Sequence, residues 1–592
     1  MPREAYQYGL VPNQNSFRVL ELLPGGESDQ ITCLLHLVDW SNPPEYEAIS
    51  YAWGNAKDLE VIICEGKEIK VTRNLHSGLC HLRYLDRSRI LWADAICINQ
   101  TDIPERSSQV TQMLKIYQTA KTVIVWLGPD SPENYAKYAI DSIQTIAAFL
   151  CQKVGISVSD LGSIGDLYQE VIFKNREFLP LPNECHFSNE YMWKALIWFY
   201  SHSYFTRVWA VQEINANNAR VLHCGTATTD WDSVALVAGY IIMETAFSKR
   251  FGFTGAKCWF AAIMTTDRIR QPKNWLSMLY LTSNFASSDP RDQIYGLRGL
   301  MHLSGGAKLV APDYGKSEVE VYRDSVEAGF IHFQNTDVLL YCTGFGTPSW
   351  IPRWDRPMLF RNPFRFGKSL PWKPAGETKP VWSIDGPTNV LSLSGFIVDH
   401  VKQSAMYDES LFGNASIRGD GKKDLKQIWQ KILTTIDQSH IKRPFTAGIL
   451  TAVADSLSFG LDDTSEPADD RLLLHNFIAY LKLVLDEKTY NKYIPADLTE
   501  DAKHANGLDF GKPVWDFTYP ESSLFLTDSG LVGCCISTTE PGDIVFVAFG
   551  SKFPLVLRPA GGVHFLLRGF AYVHGIMYGE REVYDEQLVK IC

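Results

Sequence analysis

Two short and largely apolar runs, Ile90 to Ile98 and Val123 to Leu127, constrain this chain more than any other feature. A strand with one wet face alternates polar and apolar residues, whereas a run without alternation is buried on both faces, as in the middle of a covered sheet. The segment between the two runs has helical signals. Thr101 or Asp102 can cap it, Pro104 suits a first turn, and Glu105 complements the positive end of the helix dipole. Val110, Met113, Leu114 and Tyr117 then recur at three- and four-residue spacing on one face. Upstream, Glu47 to Tyr51 reads as a strand, and Val61 to Cys64 with Ile69 to Val71 as a hairpin about Glu65-Gly66-Lys67. Asn74 to Leu85 reads as a helix with Leu75, Leu79 and Leu82 on one face. Strands alternating with helices predict an α/β core with a parallel sheet covered on both sides.

The flanking segments differ in character. Ser16 to Gly26 and Ile31 to Val38 can form a hairpin, and Ser131 to Ser201 is irregular and mainly helical, as an insertion would be. Short strands at about ten-residue spacing, cut by glycines, run from Ser523 to Glu580 and include I-M-Y-G-E (Ile576 to Glu580). The expected organisation is a β-rich entry (1–45), an α/β domain (46–215) with a helical insertion at about 131–200, and a helical region (216–350). A mixed linker and helical region (351–510) and a β-rich C-terminal unit (511–592) complete it.

Composition excludes several function classes. With 592 residues, a formal charge of −11 and 21% charged residues, the chain has a globular profile without the basic stripe of a nucleic-acid binder. The opening M-P-R-E-A-Y-Q-Y-G-L lacks the apolar core of a secretion signal. The apolar run Val234 to Met243 is about half the length that a bilayer requires, so it reads as a buried helix. Twelve scattered cysteines without a secretion signal read as reduced thiols, and a cytoplasmic location is expected.

Four blocks occur in a particular order: Y-E-A-I-S-Y-A-W-G (Tyr46 to Gly54), L-W-A-D-A-I-C-I-N-Q (Leu91 to Gln100), E-R-S-S-Q-V-T-Q-M-L-K-I-Y-Q-T-A (Glu105 to Ala120) and V-I-V-W-L-G-P-D (Val123 to Asp130). In this order they resemble the heterokaryon-incompatibility (HET) domain of filamentous fungi. S-S-D-P-R-D-Q-I-Y-G-L-R-G-L (Ser287 to Leu300) is a further block similar to HET proteins. The resemblance implies a module of self/non-self recognition that triggers programmed cell death, switched on by an incompatibility partner protein or by self-association.

HET domains in turn look distantly like TIR domains, flavodoxin-like signalling modules of which some cleave NAD. R-V-W-A-V-Q-E-I (Arg207 to Ile214) resembles the TIR W-C-x-x-E-L block, which places Glu213 at the catalytic glutamate. Asp94 falls where TIR domains often carry an acidic residue, and is the second catalytic candidate. The resemblance places Tyr51, Trp53, Gly54, Arg207 and Trp209 around a bound nucleotide. The chemistry is coherent: a carboxylate can stabilise the oxocarbenium-like state formed as nicotinamide leaves, and an arginine can meet a phosphate. The chain departs from TIR patterns in having Trp53 where many carry arginine, and in the long insertion before Trp209. NAD is therefore expected as a substrate at most, with no resident cofactor. A non-enzymatic assembly module and an accessory protein of a metabolic gene cluster remain as alternatives.

Other chemical signatures are missing. Gly315-Lys316-Ser317 and Gly367-Lys368-Ser369 lack the upstream glycine of a phosphate loop. No H-E-x-x-H, G-x-S-x-G or paired C-x-x-C occurs, so no metal is expected. Adjacent Cys534 and Cys535 on a strand would face opposite ways, and His76 with Cys80 lacks further ligands. Asp289, Arg291 and Asp292 read as a capped helix start with an internal ion pair.

Overall fold

The segments between residues 16 and 230 assemble into one nine-stranded mixed sheet. The computed structural model describes residues 3–592 except 13, 27, 244–255, 271–273, 343, 345, 359–370, 409–421, 438–442, 463, 465, 516–517, 519–520 and 582–584. Gly367-Lys368-Ser369 lies outside the described residues. The chain divides into two units, Met1–His302 with Val310–Glu318, and Leu303–Leu309 with Val319–Cys592.

In the first unit the strands are β1 (Ser16–Leu22), β2 (Thr32–Asp39), β3 (Glu47–Tyr51), β4 (Leu59–Cys64), β5 (Lys67–Thr72), β6 (Arg89–Trp92), β7 (Thr122–Trp126), β8 (Arg220–Cys224) and β9 (Ala227–Asp230). Their order is β5-β4-β2-β1-β6-β3-β7-β8-β9. The four strands β6, β3, β7 and β8 are mutually parallel, as the unalternating runs require. The flanks bring antiparallel pairings: β1 with β2 and β6, β4 with β5, and β8 with β9. The sheet is thus mixed: the hairpins expected in the sequence bring antiparallel pairs, and the two N-terminal ones are joined by a short parallel pairing of β2 with β4.

Helix α1 (Arg73–Leu82) buries Leu75, Leu79 and Leu82 and stops there, since Arg83 turns extended; Leu85 is exposed. The run Ile90 to Ile98 is not one strand. It ends as strand at Trp92, and Asp94–Cys97 forms a single helical turn, α2, closed by Cys97 N–H donating to Ala93 O at 2.8 Å. Helix α3 (Ile103–Thr119) starts as its sequence indicates, with the Asp102 carboxylate accepting from Glu105 N–H at 3.0 Å. Its buried face is Gln109, Val110, Met113, Ile116 and Tyr117, while Leu114 is half-buried. Each large apolar side chain so covered contributes about 1.5–3 kcal/mol.

Between neighbouring β7 and β8 the chain makes its long helical excursion, including α4 (Tyr135–Val154), α5 (Glu190–Tyr200) and α6 (Val208–Ala216). The excursion re-enters the sheet at Arg220 beside Val123, and the parallel pairing of β7 with β8 runs on past both strand ends, Leu127 N–H donating to His223 O at 3.0 Å and Gly225 N–H to Gly128 O at 2.9 Å. The apolar run at 234 lies in a buried helix, α7 (Trp231–Ile241). No helix among the described residues is long and apolar enough to cross a membrane.

The second unit contains helices and an eight-stranded sheet: β10 (Trp382–Asp385), β11 (Val390–Tyr407), β12 (Ser522–Thr527), β13 (Val532–Cys535), β14 (Ile544–Ala548), β15 (Leu555–Pro559), β16 (His564–Val573) and β17 (Gln587–Ile591). The pairings β11–β12–β13–β16–β15–β14 return to β11 and close a barrel. β11 can serve two neighbours because register shifts after Ile397 and Val401 bend it. Gly395 permits the closure: a Cβ there would lie 2.2 Å from Val547 O. Phe396, Val398, Phe525, Val545, Val556 and Val573 are among the residues that fill the core. Cys534 meets the Tyr407 hydroxyl at 2.6 Å while Cys535 packs in that core, so the two thiols do face opposite ways. Ile576 to Glu580 is turn and not strand, with Gly575 and Gly579 in the left-handed region.

Candidate functional site

Parallel strands deliver their C-terminal ends to one edge of the sheet, the usual place for a ligand in an open α/β fold. Here β3 ends at Tyr51, β6 leads into Asp94, and α6 carries Glu213. Along β3 successive side chains point to opposite faces. Tyr51 goes to Asp94, donating its hydroxyl to Oδ1 at 2.9 Å, and Ser50 goes to Glu213, donating to Oε2. Having given its single proton to Glu213, Ser50 accepts from the Tyr204 hydroxyl at 2.7 Å.

Asp94 is heavily engaged. Besides Tyr51 it accepts from Trp53 Nε1 at 2.9 Å and from Ala95 N–H at 2.8 Å. The first contact fixes an indole that is 38% exposed, leaving a flat aromatic surface held at the sheet edge. Gly54 follows with φ +75°, a conformation that other residues rarely adopt, and lets the chain turn away. Asn74 braces that turn, donating to Ala52 O at 2.6 Å while its own Oδ1 accepts from Trp126 Nε1 at 3.2 Å.

Arg207 precedes α6, donates to Tyr51 O and lies 3.8 Å from Glu213 Oε2. Glu213 is only 2% exposed, covered by Ser50, Tyr204 and Arg207. The crevice that the TIR likeness implies beside it is therefore closed. Two surface hollows, of about 480 Å³ beside Phe149 and His186 and about 320 Å³ beside Tyr490 and Leu508, are lined by none of these residues. Trp209 turns elsewhere: its indole packs against Gly296 and lies beside the Asp292 carboxyl, whose charged form it favours.

Burial pushes the Glu213 carboxyl up to about 7, with Arg207 and Ser50 pulling the other way. Burial works against the Arg207 charge, but Glu213 and Asp94 outweigh it and hold the guanidinium above its ordinary value. Burial and then the Asp94 charge push the Tyr51 phenol well up. A carboxyl that changes protonation near neutrality can both give and take a proton, which suits general acid–base work.

The sequence brings Tyr51, Trp53, Gly54, Asp94, Arg207 and Glu213 to one edge and leaves Trp209 to a different partner. Ser50, Tyr204 and Asn74 were not foreseen. Ser50 sits inside a recognisable block, but its partner is 163 positions away and nothing local indicates it. His76 and Cys80 pack 3.7 Å apart on α1, and Asp289 pairs with Arg291 at 2.7 Å as expected. In the second unit, Asp399, His400 and Asp528 bring possible ligand atoms within 4.8 Å of one another, but Asp399 is already held by Ser529 and the His400 amide.

Residues 46–213 match the family model "Heterokaryon incompatibility protein (HET)" and residues 468–587 match the Het-6 beta-barrel domain. The "Heterokaryon incompatibility protein 6, OR allele" of Neurospora crassa is 24% identical in an alignment spanning 95% of this chain and 94% of that protein. No solved structure gives a significant match. The HET match covers β3, β6, β7 and the helix as far as Glu213, the barrel match covers β12 to β16, and the Neurospora protein aligns along nearly the whole length: this chain carries a region that matches the HET domain and, in its C-terminal half, one that matches the Het-6 barrel.

Proposed function

We propose that this protein acts in heterokaryon incompatibility in a filamentous fungus, recognising non-self through a partner protein or its own assembly and then triggering cell death. Within it, the chemical centre is Glu213, cleaving the glycosidic bond of NAD or a related nucleotide. One observation carries the reading: three distant chain segments converge where parallel strands end, around a carboxyl tuned to about 7. Trp53 would stack on a base, Arg207 would meet a phosphate, and Glu213 would stabilise the sugar cation as the base departs.

The buried state of Glu213 defines a resting form. Activation then consists of moving Arg207 off Tyr51 O so that the acid meets substrate, which gives a lethal module a silent state. That same burial also favours a second reading, in which the Ser50–Glu213–Arg207 cluster is a structural pin and the domain kills only by assembly. Wild type and Glu213→Gln expressed in a fungal host, with NAD content and viability followed, separate the two. Loss of both NAD depletion and killing in a folded variant supports the enzyme; undiminished killing supports assembly.

A further inference from the structure

The block Ser287 to Leu300 lies outside the strand edge, yet the structure ties it to both candidate acids. On one side it grips α6. Val208 N–H donates to Ala286 O at 3.1 Å and Ala286 N–H donates to Thr206 O at 2.5 Å, so Arg207 is clamped in a short parallel bridge. One turn on, the Trp209 indole lies beside the Asp292 carboxyl and against Gly296, and Gln212 Oε1 accepts from Gly299 N–H at 2.9 Å. On the other side, Asp292 Oδ1 accepts from the Tyr314 hydroxyl at 2.7 Å.

Tyr314 in turn is seated on the start of α3. The Arg106 guanidinium lies 3.5 Å above its ring centre and also faces Asp289 at 3.5 Å, while Tyr314 N–H donates to Ser107 Oγ at 3.1 Å. The same first turn holds the Asp94 loop. Glu105 accepts from Asn99 N–H at 2.8 Å and pairs with buried Arg18 at 2.6 Å, and Gln100 Nε2 donates to Asp94 O at 2.9 Å.

We propose that Asp292 is a positioning residue that keeps the Asp94 loop and the Glu213 helix in register, acting through Tyr314 on one side and Trp209 on the other. A carboxylate is needed because two donors approach it from different elements. An amide has one acceptor oxygen, and its NH2 opposes the second donor. The role rests on the reading of Glu213 as the chemical centre, but its mechanical part does not.

The test uses the full chain with Asp292→Asn, Tyr314→Phe and Trp209→Phe. Tyr314→Phe keeps the ring under Arg106 and removes only the hydroxyl, so it guards against simple misfolding of the first. Amide hydrogen exchange by mass spectrometry is expected to rise in both 94–100 and 208–216 in Asp292→Asn, with 135–154 unchanged. Tyr314→Phe should loosen mainly the first segment and Trp209→Phe mainly the second. Unchanged exchange in these segments, or uniform loosening in all three variants, overturns the proposal. In the fungal host, NAD loss should fall by about tenfold to a hundredfold in Asp292→Asn, the scale of an angstrom-sized misplacement. Its pH midpoint should move from near neutrality toward the ordinary carboxylate range as water reaches Glu213. If wild type consumes no NAD, the enzymatic reading fails while the exchange arm still decides the positioning role.

Discussion

Replacing Glu213 by glutamine should change how the first unit's stability depends on pH, with a sign opposite to that of an ordinary ion-paired acid. The folded carboxyl titrates near 7 against an ordinary value of 4.5, because burial penalises the charge. Between those values the folded chain holds a proton that the unfolded chain has released. The unfolded state then binds fewer protons, so stability falls as pH rises through this window. Below about 4.5 the penalty is absent, and above 7 it is complete. A gap of this size corresponds to about 3 kcal/mol, most of which develops between pH 5 and 8.5. Glutamine keeps an acceptor for Ser50 and cannot ionise. Its altered contact with Arg207 adds an offset that does not vary over this pH range. The measurement must be local to the first unit: urea unfolding read by pulsed alkylation of buried Cys97 and Cys224 at a common quench pH. The wild-type minus Glu213→Gln difference should shift against wild type by about 2–3 kcal/mol from pH 5 to 8.5. Parallel profiles across that range would refute the assignment of a neutral, buried acid.

Three other outcomes follow from the geometry. Arg18→Met strands the Glu105 carboxylate, which is buried and paired at 2.6 Å, and should cost about 3–5 kcal/mol in urea unfolding; a loss below about 1 kcal/mol, or no partial recovery on adding Glu105→Gln, would contradict it. Gly299→Ala places a Cβ 2.4 Å from Gln212 Oε1 and 2.9 Å from Leu114 Cβ, so thermal melting should show a loss of about 1–3 kcal/mol, and an unchanged melt would show that the contact yields freely. His574 is held above its ordinary value by its hydrogen bond to Asp455 at 2.8 Å, with burial opposing and the charges of Asp455, Asp470 and Glu580 adding. A raised histidine stabilises fully below its unfolded value of 6.5 and loses that contribution as pH rises through the folded value, so the melting advantage of wild type over His574→Gln should shrink from pH 5.5 to 8.5; a constant difference would exclude the linkage.

Local signals in the sequence carried much of the fold. The Asp102 cap, the Leu75-Leu79-Leu82 face and the Glu65-Gly66 turn each depend on residues a few positions apart, and each formed as read. What failed locally failed for physical reasons. Asp94–Cys97 is a single helical turn, too short to show a period, so it merged with the strand before it. β11 spans 18 residues, but its two register shifts break the alternation, so in the sequence it merges into the mixed linker and helical region expected at 351–510. The candidate site was legible through its resemblance to known blocks, and not through chemistry visible in one stretch. Which buried hydroxyl meets which carboxylate depends on contacts such as Ser50–Tyr204, 154 positions apart, that no periodicity encodes. Trp209 shows the converse: four-residue spacing from Glu213 did not predict that its indole would turn toward Asp292 and Gly296.

The parallel pairing of β7 with β8 on either side of the long excursion has an outcome for how such proteins can vary. The chain leaves the sheet after β7 and re-enters it at Arg220, where the register with Val123 is set by the ladder itself. Doubling the length of a flexible connection costs only about 0.6 kcal/mol in closure entropy. The span before Tyr204 can therefore be rewritten in length or in surface, while the residues downstream return to the same register. Such an arrangement lets novelty accumulate in one stretch of the domain without retuning the acid behind it.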